Sequence, residues 1–594
     1  MATSSDSELY TGPSSGKLVF SVNLGELAGT VLDLTPALNP RNFRLIDCNA
    51  FVEQHQLCLY EFAELPNVPY AALSYPWRGN LMVDDRNSPW YWEDDLGTFA
   101  VRGAEDGDPT SLDVLLHVCT AASQLGYVWL DRLCILQTNK DDKAWQIARM
   151  YLIYASCETC YILPGGIRRL VGLDEETSWI HRGWTLQEAV VPKCAIVIYS
   201  WKRPIPLAIS TVSGEFRLSE LISGKSACTS LNILVESGHF QLADTIIGGD
   251  WQWYDFNVGI FPHGPSNAAL IGALGDKGDR ADADKEDLRL QAVWRSALLR
   301  TSSRPVDMIF SIMGIFGVSL DPHAFDPNDR LGATIALARE ILRKGGKAHW
   351  IGAAYPLDPS PYLSTFPQFP ETSVEGKAYI RLRDGSREPA TDVMHSRVAS
   401  GCWVSDVPGG SMDENGYFTF QAHALPVTRA SIGHQSGPPG AVFTTLIRED
   451  TPGVLYHSVL LTANDGSVWE APYANTPAGD AHASAYVVYI GREQQYSTPA
   501  FARYVDLNSL KGLLVEEHAP GMFHKTGYLD FGEEVEHVFK TRDKVTLTVG
   551  GPNLPSKAIH PSAGDPTPAA TSSPQGPTQT RPRRAHCSPS CMFM

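Results

Sequence analysis

The stretch TSLDVLLHVCTAASQLGYVWLD, residues 110–131, contains the change of hydrophobic period on which the fold turns. Leu112, Leu115, Cys119 and Ala122 share one face at 3.6 residues per turn. Ser111 or Thr110 can cap that helix, and Gly126 can end it. YVWLD at 127–131 then runs apolar and aromatic to a terminal carboxylate, as a buried strand does.

The alternation extends in both directions. Upstream, the apolar run 70–75 of VPYAALSYPW stops at Pro76, which predicts a buried strand and a break. Downstream, a helix is expected at about 140–156, with Trp145, Ala148, Leu152 and Ala155 on one stripe. Trp145 is then a core residue, and Trp145→Ala would cost about 3–5 kcal/mol. ETCYIL at 158–163 reads as a strand ended by Pro164-Gly165-Gly166, the helix in HRGWTLQEAVV (181–191) stops at Pro192, and CAIVIYS at 194–200 is a further strand. The order β, α, β, α, β, α, β predicts a parallel sheet with helices on its faces.

In open α/β sheets ligands sit outside the carboxyl ends of the strands. The residues expected there are Ser74, Tyr75 and Trp77, then Asp131 and Arg132, then Gly165 and Gly166, and the helix carrying Trp184 and Glu188 begins on the same edge. Trp184 and Glu188 are spaced i, i+4, so a helix stacks them on one face. Each residue also has a plain reading: Trp77 and Trp184 as core, Asp131 as a loop cap, Glu188 as an ion-pair partner. Their convergence on one sheet edge makes them the candidate site.

The remaining chain divides by composition. Residues 1–16 are polar and are expected to be disordered, and 17–205 hold the α/β domain. Residues 206–390 are expected to be mainly helical, including DKEDLRLQAVWRSALLR and LGATIALAREILRKGG. Residues 391–550 switch to short β-rich runs such as GYFTFQAHAL and AYVVYIG, separated by turn residues. From 551 to 594 there are nine prolines in 44 residues, a composition that cannot build a core.

With 594 residues the chain is too long for one core. A net charge of −18 excludes the positive footprint of a non-specific nucleic-acid binder. Eleven cysteines scattered in so large a chain suggest a reduced, intracellular protein. The N-terminus has no cationic start and no apolar run, so a secretory leader is not expected. The run MIFSIMGIFGV at 308–318 is about half of the ~20 residues that span a bilayer.

Several look-alikes fail. SGKS at 223–226 resembles a phosphate loop, but Ser219 stands where that loop requires glycine. Cys157 and Cys160 have zinc-like spacing without a second pair, so buried thiols are expected and no metal. DADKED at 282–287 lacks the central glycine of a calcium loop and reads as an acidic helix start. The last four residues, Cys591-Met592-Phe593-Met594, fit a farnesylation box. Arg581, Arg583 and Arg584 add a basic patch, and Cys587 could take a second acyl chain, so a peripheral membrane anchor is one reading of the tail. An unmodified terminus is the other.

YAALSYPW, YVWLDRLCILQTNKDD, RMYLIYASC and HRGWTLQEAVV together resemble the successive motifs of the fungal heterokaryon-incompatibility (HET) domain. RPVDMIFSIMGIFGV at 304–318 resembles the segment that often follows it. One departure is at 76–79, where Pro-Trp-Arg-Gly stands in place of the family's usual Trp-Gly and inserts Arg78. The resemblance implies a cytoplasmic fungal protein of non-self recognition, triggering growth arrest or cell death through protein partners or self-association. It also implies a TIR/flavodoxin-like fold for residues 17–205, since the HET domain is similar to the Toll/interleukin receptor fold. Many members of that fold cleave NAD with the glutamate of a Trp-x-x-x-Glu motif, which Trp184-Thr-Leu-Gln-Glu188 matches. Two functions therefore stand: a signalling or effector module without enzymatic activity, and an NAD glycohydrolase with Glu188 catalytic, NAD being substrate and no cofactor being needed. In the second, Ser74, Tyr75, Trp77, Asp131 and Trp184 would line the NAD site.

Overall fold

Residues 110–131 fold as their spacing predicts. In the computed structural model the helix α1 runs Leu112–Ala121, capped by the Ser111 hydroxyl, which accepts from the Val114 amide. Leu112, Leu115, Cys119 and Ala122 are all buried. Gly126 has φ +83°, a left-handed turn that a side chain would strain, and the chain reverses there into a strand. The structure describes residues 16–552 apart from short stretches, the longest being 203–208, 238–242, 276–280, 431–439, 448–454, 473–482 and 497–508. The proposed lipidation cysteines 587 and 591, and nearly all of the two terminal tails, lie outside the described residues.

Nine strands form the main sheet. They are β1 Lys17–Asn23, β2 Phe43–Asp47, β3 Gln56–Phe62, β4 Ala71–Ser74, β5 Tyr127–Trp129, β6 Thr159–Ile162, β7 Ala195–Ser200, β8 Ser219–Ile222 and β9 Ser226–Ser230. Their order is β1-β3-β2-β5-β4-β6-β7-β9-β8. The four central strands β5, β4, β6 and β7 are parallel, as expected. The flanks are antiparallel: β1, β3 and β2 on one side, β9 and β8 on the other. The sheet is therefore mixed. Short connections suffice for antiparallel neighbours, whereas parallel ones need a crossover helix. The expected helical region starts later than its composition suggests, because residues 219–230 form an edge hairpin of this sheet. SGKS is the turn of that hairpin, with Gly224 at φ +66°.

β4 is the first of the parallel strands in the chain, yet it lies between β5 and β6. The chain runs from β4 to β5 on one side and then back past β4 to β6 on the other, so the strand order reverses at β4 and ligands are expected at the carboxyl ends of β4 and its neighbours.

The expected single helix over 140–156 is two: α2 Lys140–Ile147 and α3 Met150–Ser156. The break rotates the second half, so Ile153 and Tyr154 are buried while Leu152 is 47% exposed. Trp145 is only partly buried, against Phe43 at 4.9 Å between ring centroids and under the Arg149 guanidinium at 4.1 Å. The expectation of a core tryptophan is corrected accordingly. Trp145→Ala should cost about 1–2 kcal/mol, since roughly half of the side chain's apolar area leaves water. Urea unfolding of the variant checks this, and a loss above about 3 kcal/mol would return Trp145 to the core.

Helix α4 spans Thr185–Val190. Beyond the sheet, α5 Asp282–Leu298 begins with the acidic residues Asp282 and Asp284, a favourable charge at a helix start. α6 Asp307–Met313 takes up the apolar run, whose residues 308–313 are buried. Strands Tyr417–Pro426, Ala485–Gln495, Leu510–Ala519, Met522–Phe531 and Lys544–Gly550 close into a barrel, because Ala485–Gln495 pairs with both Leu510–Ala519 and Tyr417–Pro426. Closure leaves no free edge among them. A hydrophobic core runs from Leu24 through the sheet and helices to Val549 in the barrel, two further buried clusters take in residues between Leu425 and Phe539 and between Ala269 and Met394, and the described residues up to 552 belong to one compact unit. No helix among the described residues is long and apolar enough to cross a membrane. Cys157 and Cys160 are buried free thiols, and no group of three metal-ligating side chains occurs among the described residues.

Candidate functional site

The crevice at the ends of β4 and β5 holds a cavity of about 600 Å³, within the ~300–1,000 Å³ usual for small-molecule sites. Tyr75, Trp77, Asp131, Trp184 and Glu188 all line it. Residues read as one site from sheet topology thus do meet.

Arg132, Gly165 and Gly166, expected on the same edge, do not line the cavity, and neither does Ser74. Ser74 is fully buried. Its hydroxyl accepts from the Trp179 indole at 2.8 Å, so its single proton is left to donate to the Glu188 carboxylate at 2.6 Å. Ser74 holds Glu188 rather than a ligand. Trp179, which sequence reasoning did not single out, orients Ser74. The other Glu188 oxygen has no protein partner among the described residues. Enclosure by protein, more than the charge of nearby Asp131, pushes the Glu188 carboxyl up to about 8 against the hydrogen bond from Ser74, although the cavity still admits solvent to it.

Asp131 accepts three hydrogen bonds, from the Tyr75 hydroxyl, from the Trp77 indole at 2.6 Å and from the Arg132 amide at 2.7 Å. One carboxylate thereby fixes two aromatic rings on the cavity wall. The Arg132 guanidinium lies against the same rings, 5.8 Å from the Tyr75 centroid and 5.2 Å from that of Trp77. Burial raises the Tyr75 phenol well above its ordinary range, and Asp131 adds to this, so the tyrosine stays a donor.

Trp184 precedes the first turn of α4 and keeps helical dihedrals, so the i, i+4 relation to Glu188 holds. It shares the cavity wall with Asp307, at the start of α6. The segment around Thr301 runs beside 181–183: the Gly183 amide donates to the Thr301 carbonyl at 2.8 Å, and the Thr301 amide to that of His181 at 2.6 Å. A Cβ on Gly183 would come 3.1 Å from the Met308 sulfur. This pairing brings Ser302, Arg304 and Asp307 to the cavity and buries Arg300 behind α4, where it donates to Thr185 Oγ1 at 2.7 Å. The RPVD motif at 304–307 was legible as a family segment; its place at the site was not.

Arg78 lines the mouth and donates to the Asp106 carbonyl at 2.7 Å. The next residue explains the glycines of 164–166. The Asn80 amide donates to the Gly165 carbonyl at 2.9 Å, and a Cβ on Gly79 would strike that carbonyl and come 2.8 Å from Gly166 Cα. Gly79→Ala should therefore separate the two loops and destabilise the protein by about 1–3 kcal/mol, as overpacking does. Thermal unfolding checks it, and an unchanged transition would show that the loops yield freely.

The heterokaryon incompatibility protein (HET) family model matches residues 70–172. The match contains Ser74, Tyr75, Trp77 and Asp131 and stops before Trp184 and Glu188. No curated protein and no solved structure matches the chain significantly.

Proposed function

With a heterokaryon-incompatibility domain at residues 70–172 the chain is a HET-domain protein, and we propose that it acts in non-self recognition as a cell-death effector whose α/β domain cleaves NAD at Glu188. The observation that carries this reading is the arrangement of one cavity: a carboxylate held by Ser74 with one oxygen free, beside two aromatic rings fixed by Asp131. Breaking the bond between nicotinamide and ribose builds positive charge on the sugar, which a fixed carboxylate in an enclosed site stabilises. The departing ring goes from cationic to neutral, so no general acid is demanded. Trp77, Tyr75 or Trp184 would hold the cationic ring by its face. The 2-1-3-4 order of the parallel strands supports a TIR/flavodoxin-like reading of the domain. The expected fungal, cytoplasmic setting, protein partners and self-association belong to the same proposal.

The alternative is a module that signals only by assembly. Its supporting observation is that a carboxyl raised to about 8 is protonated at neutral pH and can serve as a plain buried hydrogen-bond partner of Ser74. Incubating the full chain with NAD at high protein concentration separates the two. Nicotinamide release supports the enzyme, and none from folded, assembled protein leaves the module.

A further inference from the structure

Two cations stand at the mouth of the cavity without a bonded counter-charge. Lys143 projects from α2, and Arg304 from the segment between α5 and α6, more than 150 residues apart in sequence; both line the cavity. Neither side chain makes a hydrogen bond or ion pair among the described residues. They are close enough that Arg304, after burial, depresses the Lys143 ammonium, while Asp106 and Glu105 on the same rim raise it and Arg304 in turn faces Asp307. Arg78 and Arg182 also line this cavity. Like charges brought together in a partly enclosed cleft repel. A multiply charged anion between them relieves that repulsion and gains charge-assisted hydrogen bonds from both.

We propose that Lys143 and Arg304 form an anion subsite that takes the phosphates of a nucleotide whose other end lies against Tyr75, Trp77 and Glu188. The proposal rests on the NAD reading for the identity of that other end, and it assigns the residues that make the phosphates of the substrate a requirement for binding. The guanidinium and the ammonium have different parts: Arg304 can fork to two phosphate oxygens, whereas Lys143 acts as a point charge. Because Arg304 lies outside residues 70–172, the subsite is completed by chain beyond the family match.

The test measures binding of ADP-ribose, inorganic pyrophosphate and nicotinamide riboside to the full chain by calorimetry. Arg304→Gln and Lys143→Gln are compared with wild type, and Arg304→Lys serves as the charge-conserving control. Arg304 is exposed and Lys143 partly so, hence neither change should alter thermal unfolding. Each Gln variant is expected to weaken ADP-ribose roughly tenfold, the scale of one charge-assisted contact, and to leave nicotinamide riboside within about twofold. Arg304→Lys should recover part of the loss. Unchanged ADP-ribose affinity in both Gln variants, or no ADP-ribose binding by wild type, overturns the subsite. Pyrophosphate bound as tightly as ADP-ribose overturns the nucleotide assignment in favour of a free-phosphate site. The outcomes separate from those of the NAD reading. Nicotinamide release with variants unchanged removes the subsite alone. ADP-ribose held by Lys143 and Arg304 with no nicotinamide released removes cleavage alone.

Discussion

Glu188→Gln is expected to unfold at a higher temperature than wild type at pH 9, to come close to wild type at pH 5 and, on the NAD reading proposed above, to release no nicotinamide. The sign follows from linkage. Enclosure lifts the Glu188 carboxyl from the ordinary 4.5 to about 8, so the folded protein binds this proton more tightly than the unfolded chain. Stability is then fully present below the unfolded value, falls as pH rises between about 4.5 and about 8, and is level above that. Ionising Glu188 in place costs on the order of a few kcal/mol, reduced by the solvent that reaches the cavity. Glutamine keeps the shape and can still accept from Ser74, but it never ionises, so it escapes this loss. At pH 5 both folded side chains are neutral and most of the difference closes. If the carboxylate is the catalytic form, wild-type nicotinamide release should also climb with pH towards about 8. Differential scanning calorimetry and a nicotinamide assay across pH 5–9 carry the test. Equal stability at pH 9 would show that Glu188 is not desolvated, and a variant that still cleaves NAD would remove it from the chemistry.

Arg44→Met is expected to destabilise the protein by about 3–5 kcal/mol, because it strands two buried carboxylates. Arg44 is fully buried and pairs with Glu61 at 3.0 Å and Asp142 at 3.1 Å, while donating to the Cys134 carbonyl at 2.8 Å. Burial pushes the Glu61 carboxyl up, but hydrogen bonds from Asn39 and Arg44 more than offset it, so the net shift is downward. That contribution is present at neutral pH and is lost as pH falls through the folded value. Asp142 does further work, accepting from the Leu136 amide at 2.7 Å and the Arg41 amide at 2.6 Å. The chain between Asp131 and Lys143 is thus tied to β2 through Arg44, and the variant should loosen the cavity wall as well as the fold. Denaturant unfolding measures the loss. Adding Glu61→Gln and Asp142→Asn should recover part of it by removing the stranded charges. A loss below about 1 kcal/mol would show that water reaches these carboxylates.

Residues 70–200 determined their own part of the fold through periodicity. Leu112, Leu115, Cys119 and Ala122 could be buried together only on a helix, and YVW only as a strand between neighbours. Once the alternation of strand and helix was set, topology placed Tyr75, Asp131 and Glu188 on one edge. That is why most of the candidate site was legible before any coordinates. What stayed hidden were interactions between segments far apart in sequence. The break at Ala148–Arg149, beyond which Leu152 is exposed, and the partial burial of Trp145 against Phe43 leave no local signal. Trp179 orients Ser74 across about a hundred residues of chain, and no spacing rule links them. Arg300, Arg304 and Asp307 reach α4 because Thr301 pairs with 181–183. The Arg44 network joins three segments that each look unremarkable alone. Hydrophobic periodicity is a property of neighbouring residues and can be read along the chain. The partners of a buried charge, and the closing of a β-barrel through Ala485–Gln495, depend on which surfaces meet once the core has formed, and only the tertiary structure decides that.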